Sequence, residues 1–487
     1  MWPSRVHPNV FGFNTSLSSC KRSELWQQAL WLFELIPRPD RVSFNCALTC
    51  LARASQGSCS LHALRLLETM PTAQLQPDII SFSAAIGACK GQRWQQALHL
   101  FECMPQASVL PDVVSFNATI SSCEKSAQWQ QSVDLFARMC FARLPDVISF
   151  NATISSLGKA QQPQRALCLI EAMPTAQVQP SVITFNAGIS ACKASLWQQA
   201  LQLFADMPRS VCRPDVITFN ALISAFEAAG QWQQAIHLLA FAGVSPDVIT
   251  LNATISACEK GTNWQHALQV FERLHPRGRP GFGFTRIPAT VISCNAAISS
   301  CEKGAQWQHA LRLLRQMARW NLRPDVISFN SAISSCEKGR QWQHALAAFS
   351  AMEMSHVQPD VISFSAAISA CDHRRVVALM RAMDVAQVQP NVITFNAAMS
   401  SCGRSLAWHA ALHFLTSMAR QVVLPDDASF SAGICATARA GQWQHALRLL
   451  EAMAISFHQP DAITLNAAIS SCKQGRQWQQ AVHLKRF

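Results

Sequence analysis

The 487-residue chain contains no tyrosine, and only 14% of its residues are charged. With 49% hydrophobic residues, that scarcity of charge excludes a disordered chain, which needs the opposite balance. No apolar run approaches the roughly 18 residues required to cross a bilayer as a helix, so no membrane partner is expected. No two cysteines stand at C-x2-C spacing, no H-E-x-x-H occurs and no glycine-rich phosphate loop is present. These absences remove zinc sites, metallopeptidase chemistry and nucleotide cradles. The chain reads as a non-enzyme with no cofactor and no metal. Residues 1–9 form a short lead with no visible signal or transit peptide; targeting lies elsewhere, or the chain is a fragment.

Cysteine itself is plentiful, at 19, an odd number. Ten occupy one recurring slot: Cys20, Cys89, Cys123, Cys192, Cys258, Cys301, Cys336, Cys371, Cys402 and Cys472. A disulfide framework needs pairs, whereas a free thiol behaves as a small buried hydrophobe. The slot reads as helix packing in a reducing compartment.

What recurs most is a phrase. Pro145-Asp146-Val147-Ile148-Ser149-Phe150-Asn151 returns as Pro214 to Asn220 with Thr218, as Pro324 to Asn330, and as Pro359 to Phe364. Counted from the residue after the closing Asp, the units are 10–40, 41–78, 79–112, 113–146, 147–181, 182–215, 216–247, 248–290, 291–325, 326–360, 361–391, 392–426 and 427–461. A partial fourteenth, 462–487, follows. Five units have 35 residues and three have 34, a period that marks a solenoid of stacked helical pairs. The long unit from Val248 carries a loop by composition at Pro276–Gly283. The short one from Val361 has Asp372-His373-Arg374-Arg375 in place of the usual Gln-Trp-Gln.

Each unit predicts two helices. Asp325 is an N-cap behind Pro324, and Ile327, Ala332, Ile333 and Cys336 form a helical stripe. Gly339 breaks that helix. The second runs from about Gln341 through Trp342, Ala345, Leu346 and Phe349 to Met352 on one apolar face. Its Trp slot is filled by Trp26, Trp94, Trp129, Trp197, Trp232, Trp264, Trp307, Trp342, Trp408, Trp443 and Trp478, with Ser60 and Pro163 as replacements. A Trp row is either a base-stacking platform or core, and the amphipathic helix beneath it favours core. His266, His309, His344 and His445 share a slot with Gln, so none is a catalytic base.

Val-Ile-Ser/Thr-Phe-Asn opening one helix, Ala-Leu-x-Leu-Phe in the next and a closing Pro-Asp resemble the pentatricopeptide repeat over residues 10–487. Phe or Leu stands where that family usually has Tyr, and Trp-Gln-Gln/His where a Leu-Glu-Glu type is commoner. The resemblance implies an all-α fold, a right-handed α-solenoid of helix-turn-helix repeats that binds single-stranded RNA at one base per repeat. It also implies organellar RNA processing, stabilisation or translation, in plastid or mitochondrion. By the same resemblance the Asn of each unit and the residue closing it read a base edge, while the branched residue two places on packs against the base. The pairs are Asn14/Asp40, Asn45/Asp78, Ser83/Asp112, Asn117/Asp146, Asn151/Ser181, Asn186/Asp215, Asn220/Asp247, Asn252/Thr290, Asn295/Asp325, Asn330/Asp360, Ser365/Asn391, Asn396/Asp426 and Ser431/Asp461. The implied target is U-U-G-U-C-U-U-Y-U-U-A-U-G.

A bland reading stands beside it. The closing residue belongs to the N-cap set, and an Asn on the inner helix can simply bond the next repeat. Lys125, Lys260, Lys303 and Lys338 share a slot at the end of the first helix, suited either to phosphate or to the helix C-terminus. Forty basic against 28 acidic residues give a net charge of +12, which favours an acidic partner. A protein-binding scaffold using the same inner face is the alternative.

Overall fold

A computed structural model of the chain describes residues 10–23, 25–54, 59–89, 93–192, 196–210, 212–241, 246–273, 289–421, 423–456 and 458–475. The lead 1–9, the loop expected at Pro276–Gly283, Trp478 and the end of the partial unit lie outside them. The fold is all-α: twenty-seven α-helices, and no strand, among the described residues. The chain divides into two compact units, Met1–Ala229 with Ala240–Val244, and Gly230–Leu239 with Ser245–Phe487. Each is a solenoid of helical pairs.

The pair Val326–Lys338 and Trp342–Met354 shows how a pair is built. Asp325 caps the first helix, its Oδ1 accepting the Ser328 N–H at 2.9 Å. The Ser328 hydroxyl accepts the Asp325 N–H at 3.3 Å, completing a reciprocal cap. Phe329, Ala332, Ile333 and Cys336 then point inward and are buried. The helix packs on its own partner Trp342–Met354, on the preceding Trp307–Arg319, and on the first helices either side, Val291–Lys303 and Val361–Ala370. Burial is thus shared with the next pair at every step, as a repeat that cannot close its own core requires.

Between pairs the seam is aromatic. The Phe late in one second helix meets the Phe of the next first helix edge to face: Phe101 and Phe116 at 4.8 Å, Phe136 and Phe150 at 4.7 Å, Phe349 and Phe364 at 4.9 Å. Where Cys294 replaces that second Phe, Phe271 instead faces Trp320 at 6.0 Å. The Trp slot is core, as its amphipathic helix suggested, though only half-buried. Several indoles are covered by a residue of the following second helix, as Trp307 is by His344 at 4.5 Å and Trp264 by His309 at 5.3 Å, whereas Trp197 meets Phe226 of a first helix. Guanidinium groups do the same work elsewhere, with Arg165 over Trp129 and Arg375 over Trp342 at 4.6 and 3.5 Å. The histidines therefore serve packing.

The role given to Gly339 needs correction. Its φ is −76°, ordinary right-handed backbone, and the left-handed residue is the next one, Arg340, at φ 55°. The turn closes with Gln341 N–H donating to the Cys336 carbonyl at 2.8 Å, the 6→1 bond of a Schellman ending. Glycine at 339 leaves room for a neighbour: a Cβ there would sit 2.6 Å from Cδ1 of Trp307. Gly261, Gly304 and Gly475 face Trp232, Trp264 and Trp443 in the same way. Among the described residues, glycine itself holds the positive φ only at Gly230 and Gly441, at 66° and 71°.

All described cysteines are free thiols, and nine of the ten slot cysteines Cys20 to Cys472 are fully or almost fully buried. Burial pushes the thiols of Cys258, Cys294 and Cys301 up to about 12, so they are inert packing groups rather than nucleophiles. Among the described residues no helix is long and apolar enough to cross a membrane.

Candidate nucleic-acid interface

The first helix of a pair has one face against its neighbours and one left open. On the open face, one turn apart, stand a branched aliphatic and the Asn slot, as Ile327 and Asn330 do. Burying the Phe two residues after the aliphatic forces the latter outward. Val42, Ile80, Val114, Ile148, Ile183, Ile217, Ile249, Ile292, Ile327, Ile362, Ile393 and Ile463 are all 55–69% exposed. Single exposed aliphatics are ordinary. Twelve in one register are a surface feature with a purpose.

The Asn slot is built from two repeats. Asn295 Nδ2 donates to Asp325 at 3.0 Å, and the Ser328 hydroxyl donates to Asn295 Oδ1 at 2.5 Å. Asn330 does the same with Asp360 at 3.1 Å and Ser363 at 2.5 Å. The motif repeats at Asn14 with Asp40 and Ser43, Asn45 with Asp78 and Ser81, Asn186 with Asp215 and Thr218, and Asn396 with Asp426 and Ser429. The structure brings these expected pairs together, and it also makes each closing Asp the cap of the next helix. Cap and amide partner are one group.

The remaining pairs differ. Asn117 donates to both oxygens of Asp146, at 3.1 and 3.0 Å, but Ser149 turns to the Asp146 carbonyl and Asn117 Oδ1 is left buried without a partner. Asn151 and Asn252 accept from Thr184 and Ser293, both at 2.6 Å; their closing residues, Ser181 and Thr290, hydrogen-bond those same hydroxyls. Ser365 meets Thr394, which is bound to Asn391, and Ser431 meets Thr464, which is bound to Asp461.

Ser83 and Asp112 are not hydrogen-bonded to each other. Ser83 donates back to the Ile79 carbonyl at 2.7 Å, as Ser365 does to Val361. Its one proton is used within its own helix. Asp112 is instead the cap of Val113–Lys125, its Oδ1 accepting the Ser115 N–H and hydroxyl, both at 2.9 Å. Asp247 is a cap in the same way. Its Oδ1 is taken by the Thr250 N–H at 2.7 Å and the Thr250 hydroxyl at 2.6 Å, the cap of Val248–Lys260. Its expected partner Asn220 belongs to the other compact unit.

The hydroxyl at the third helical position is the residue that sequence reasoning passed over. Ser43, Ser81, Ser115, Ser149, Thr184, Thr218, Thr250, Ser293, Ser328, Ser363, Thr394, Ser429 and Thr464 fill it, every one buried. Its signal was visible, since Val-Ile-Ser/Thr-Phe never varies to a residue without a hydroxyl after the first unit, but it reads as simple capping.

One turn further along the ridge a second ladder ties repeats together. Glu302 accepts Lys338 at 2.9 Å and Ser334 at 3.0 Å, Glu259 pairs with Lys303 at 3.2 Å, and Glu124 with Lys159 at 3.0 Å. Lys303 and Lys338 are thus engaged with the preceding repeat. Lys125 ends its helix Val113–Lys125 with no ion pair among the described residues, and Lys260 ends Val248–Lys260. Lys159 shares their slot and was not singled out.

Burial raises the carboxyls of Asp40, Asp78, Asp215, Asp360 and Asp426, but hydrogen bonds from the next helix and from the Asn amide outweigh it and hold them below the usual range. Such groups contribute stability that is complete above the unfolded carboxyl value and lost as pH falls through the folded one. Helical circular dichroism is expected to hold down to about pH 4, near the unfolded aspartate value, and to fall only below it. Loss of helix beginning at pH 5–6 would contradict this.

Comparison with known proteins follows the same lines. A pentatricopeptide repeat domain model matches residues 65–126, 144–194, 197–229 and 312–374, and a second model of the repeat matches 292–322. A pentatricopeptide repeat-containing protein of Arabidopsis thaliana is 31% identical over 98 residues, 19% of this chain and 15% of that protein's length. The crystal structure of the pentatricopeptide repeat protein PPR10 from maize aligns with 99% of this chain and 68% of its own, at 19% identity and a TM-score of 0.59. PPR10 in complex with an 18-nt psaJ RNA element aligns with 99% of this chain and 80% of its own, at 18% identity and a TM-score of 0.52.

Proposed function

We propose that this chain, built of pentatricopeptide repeats, binds single-stranded RNA and reads one base per repeat. The observation that carries the reading is the register of three groups on the open face of each first helix. An exposed aliphatic offers a flat base an apolar contact. One turn on, an amide already bonded at one N–H and one lone pair keeps one donor and one acceptor for a base edge. Beside it a carboxylate repels phosphate, so a strand lies with bases towards this row and backbone away from it. The complex of PPR10 with RNA, a protein of the same fold, supports the reading.

Asn/Asp repeats read U, Asn151/Ser181 reads C, Asn252/Thr290 a pyrimidine, Ser365/Asn391 A, and the Ser/Asp pairs G, giving the mostly uridine target U-U-G-U-C-U-U-Y-U-U-A-U-G. Lys125, Lys260, Lys303 and Lys338 set affinity through phosphates without choosing sequence, Lys303 and Lys338 while exchanging with their glutamates. The activity that follows is organellar: masking a transcript against nucleases, or holding it for processing or translation.

Binding of the purified chain to this oligoribonucleotide, against a scrambled purine-rich one, tests the proposal across a salt series. Selective binding is expected, with log K falling by about 0.7 per phosphate contact for each tenfold rise in salt. Salt-sensitive binding that ignores sequence would leave a basic surface only. Failure to bind at low salt would favour a protein scaffold.

A further inference from the structure

The buried hydroxyl at the third position of each first helix comes from the repeat after the amide it touches. A side-chain amide has two nearly isosteric orientations, and what distinguishes them is the polarity of its neighbours. In the Asn/Asp repeats both neighbours are polarised and opposed. Asp325 only accepts, so it takes the N–H side of Asn295 at 3.0 Å. Ser328 Oγ stands 2.5 Å from Asn295 Oδ1 and 2.9 Å from Asp325 Oδ1. That carboxylate oxygen already accepts the Ser328 backbone N–H at 2.9 Å, and the hydroxyl has a single proton, which goes to the nearer amide oxygen. Ser328 is fully buried, so no water competes for it.

Two repeats separate the hydroxyl from the carboxylate. Asn151 and Asn252 have Ser181 and Thr290 where the others have Asp, groups that donate or accept equally well. Their oxygens are still held at 2.6 Å, by Thr184 and Ser293. The hydroxyl is therefore the partner common to both kinds of repeat, and the carboxylate is not. Asn117 shows the opposite case: Ser149 has turned away and the amide oxygen has no partner.

We infer that the third-position hydroxyl of each repeat is a positioning residue for the base read by the repeat before it, fixing which end of the Asn amide is donor and which is acceptor. This rests on the base reading proposed above. The edge of U has an N–H between two carbonyls, while that of C has a bare ring nitrogen beside an amino group. An amide pinned at both ends meets the base edge with one order of donor and acceptor in one place. Losing the hydroxyl leaves Asn295 held only through its N–H by Asp325 and frees its oxygen to swing, so discrimination between U and C falls while the contact survives.

The test uses the full chain with Ser328→Ala and Ser328→Thr, and RNAs that differ only in U or C opposite Asn295. The wild type is expected to prefer U about tenfold, the scale of one well-made pair of base contacts. In Ser328→Ala that preference falls to within about twofold, and Ser328→Thr restores it. Thermal melting and circular dichroism of both variants, with binding to positions read by other repeats, separate a local loss of selectivity from unfolding. If Ser328→Ala stays folded and keeps the wild-type preference, the inference is overturned while base reading stands. If the wild type itself shows no preference at any position, base reading fails and the positioning role falls with it.

Discussion

Asn330→Ser moves the preferred base at a single position of the bound strand from U towards G and leaves the neighbouring positions unchanged. In the native chain Asn330 spans the gap between Asp360 and Ser363 and presents one donor and one acceptor to the open face. Serine is shorter and has one proton. The chain already shows where that proton goes, because Ser83 and Ser365 both turn to the carbonyl four residues back, at 2.7 Å. Asp360 then loses its amide donor, retains its cap to Ser363, and has an oxygen turned to the open face with space beside it. A purine with an amino group on its pairing edge fits that space better than a pyrimidine. A swing of roughly 1–3 kcal/mol in relative affinity, about 5- to 150-fold, is the expected scale for exchanging one base contact. Competition binding with the four bases permuted at that position measures it. Unchanged selectivity there would show that the slot ties repeats together and reads nothing.

Phe364→Ala acts on the array rather than on the strand. Phe364 is among the largest fully buried side chains and meets Phe349 edge to face at 4.9 Å. Truncation removes both the transferred surface and the aromatic contact, at a cost of roughly 3–5 kcal/mol. A stacked array couples only neighbours, so the loss is local in origin and larger in effect: coupling weakens across the seam between residues 326–360 and 361–391. Urea unfolding followed by circular dichroism should shift to lower denaturant and broaden or split. A parallel shift of less than about 1 kcal/mol would mean that the seam relaxes around the hole. The natural Cys294 shows that such relaxation needs a second change: there Phe271 has Trp320, just after the following second helix, to turn to, whereas Phe349 has Ala386 in the matching place.

Much of this was legible from residue order alone. The period, the two helices per unit and the Asp caps follow from spacing, because a helix fixes which residues share a face. The outward branched residue came only through family resemblance, and Ile327, which spacing placed on the apolar stripe, is 60% exposed because Phe329 takes the buried face. The Asn/Asp pairing was legible through family resemblance, and the geometry places seven such pairs within hydrogen-bond reach. Ser83 and Asp112 share those slots without meeting, since slot identity says nothing of side-chain reach. What escaped the sequence were contacts between groups that look self-sufficient. A Ser three residues after an Asp reads as a finished cap, so nothing pointed from Ser328 to Asn295. Gly339 likewise has a ready explanation as a helix stop, whereas its work is steric, against Trp307 from the previous unit. A lysine at a helix end reads as solvated, yet Lys338 is held by Glu302, a full repeat earlier.

Because the amide of one repeat is gripped by the first turn of the next, the module of recognition is out of phase with the module of folding. A repeat excised after its closing Pro-Asp and grafted into another array would bring its own Asp but arrive with its reading amide facing a foreign hydroxyl. For an engineer recombining such arrays, the cleaner cut falls just after the third-position hydroxyl, between Ser363 and Phe364, so that Asn330, Asp360 and Ser363 travel together.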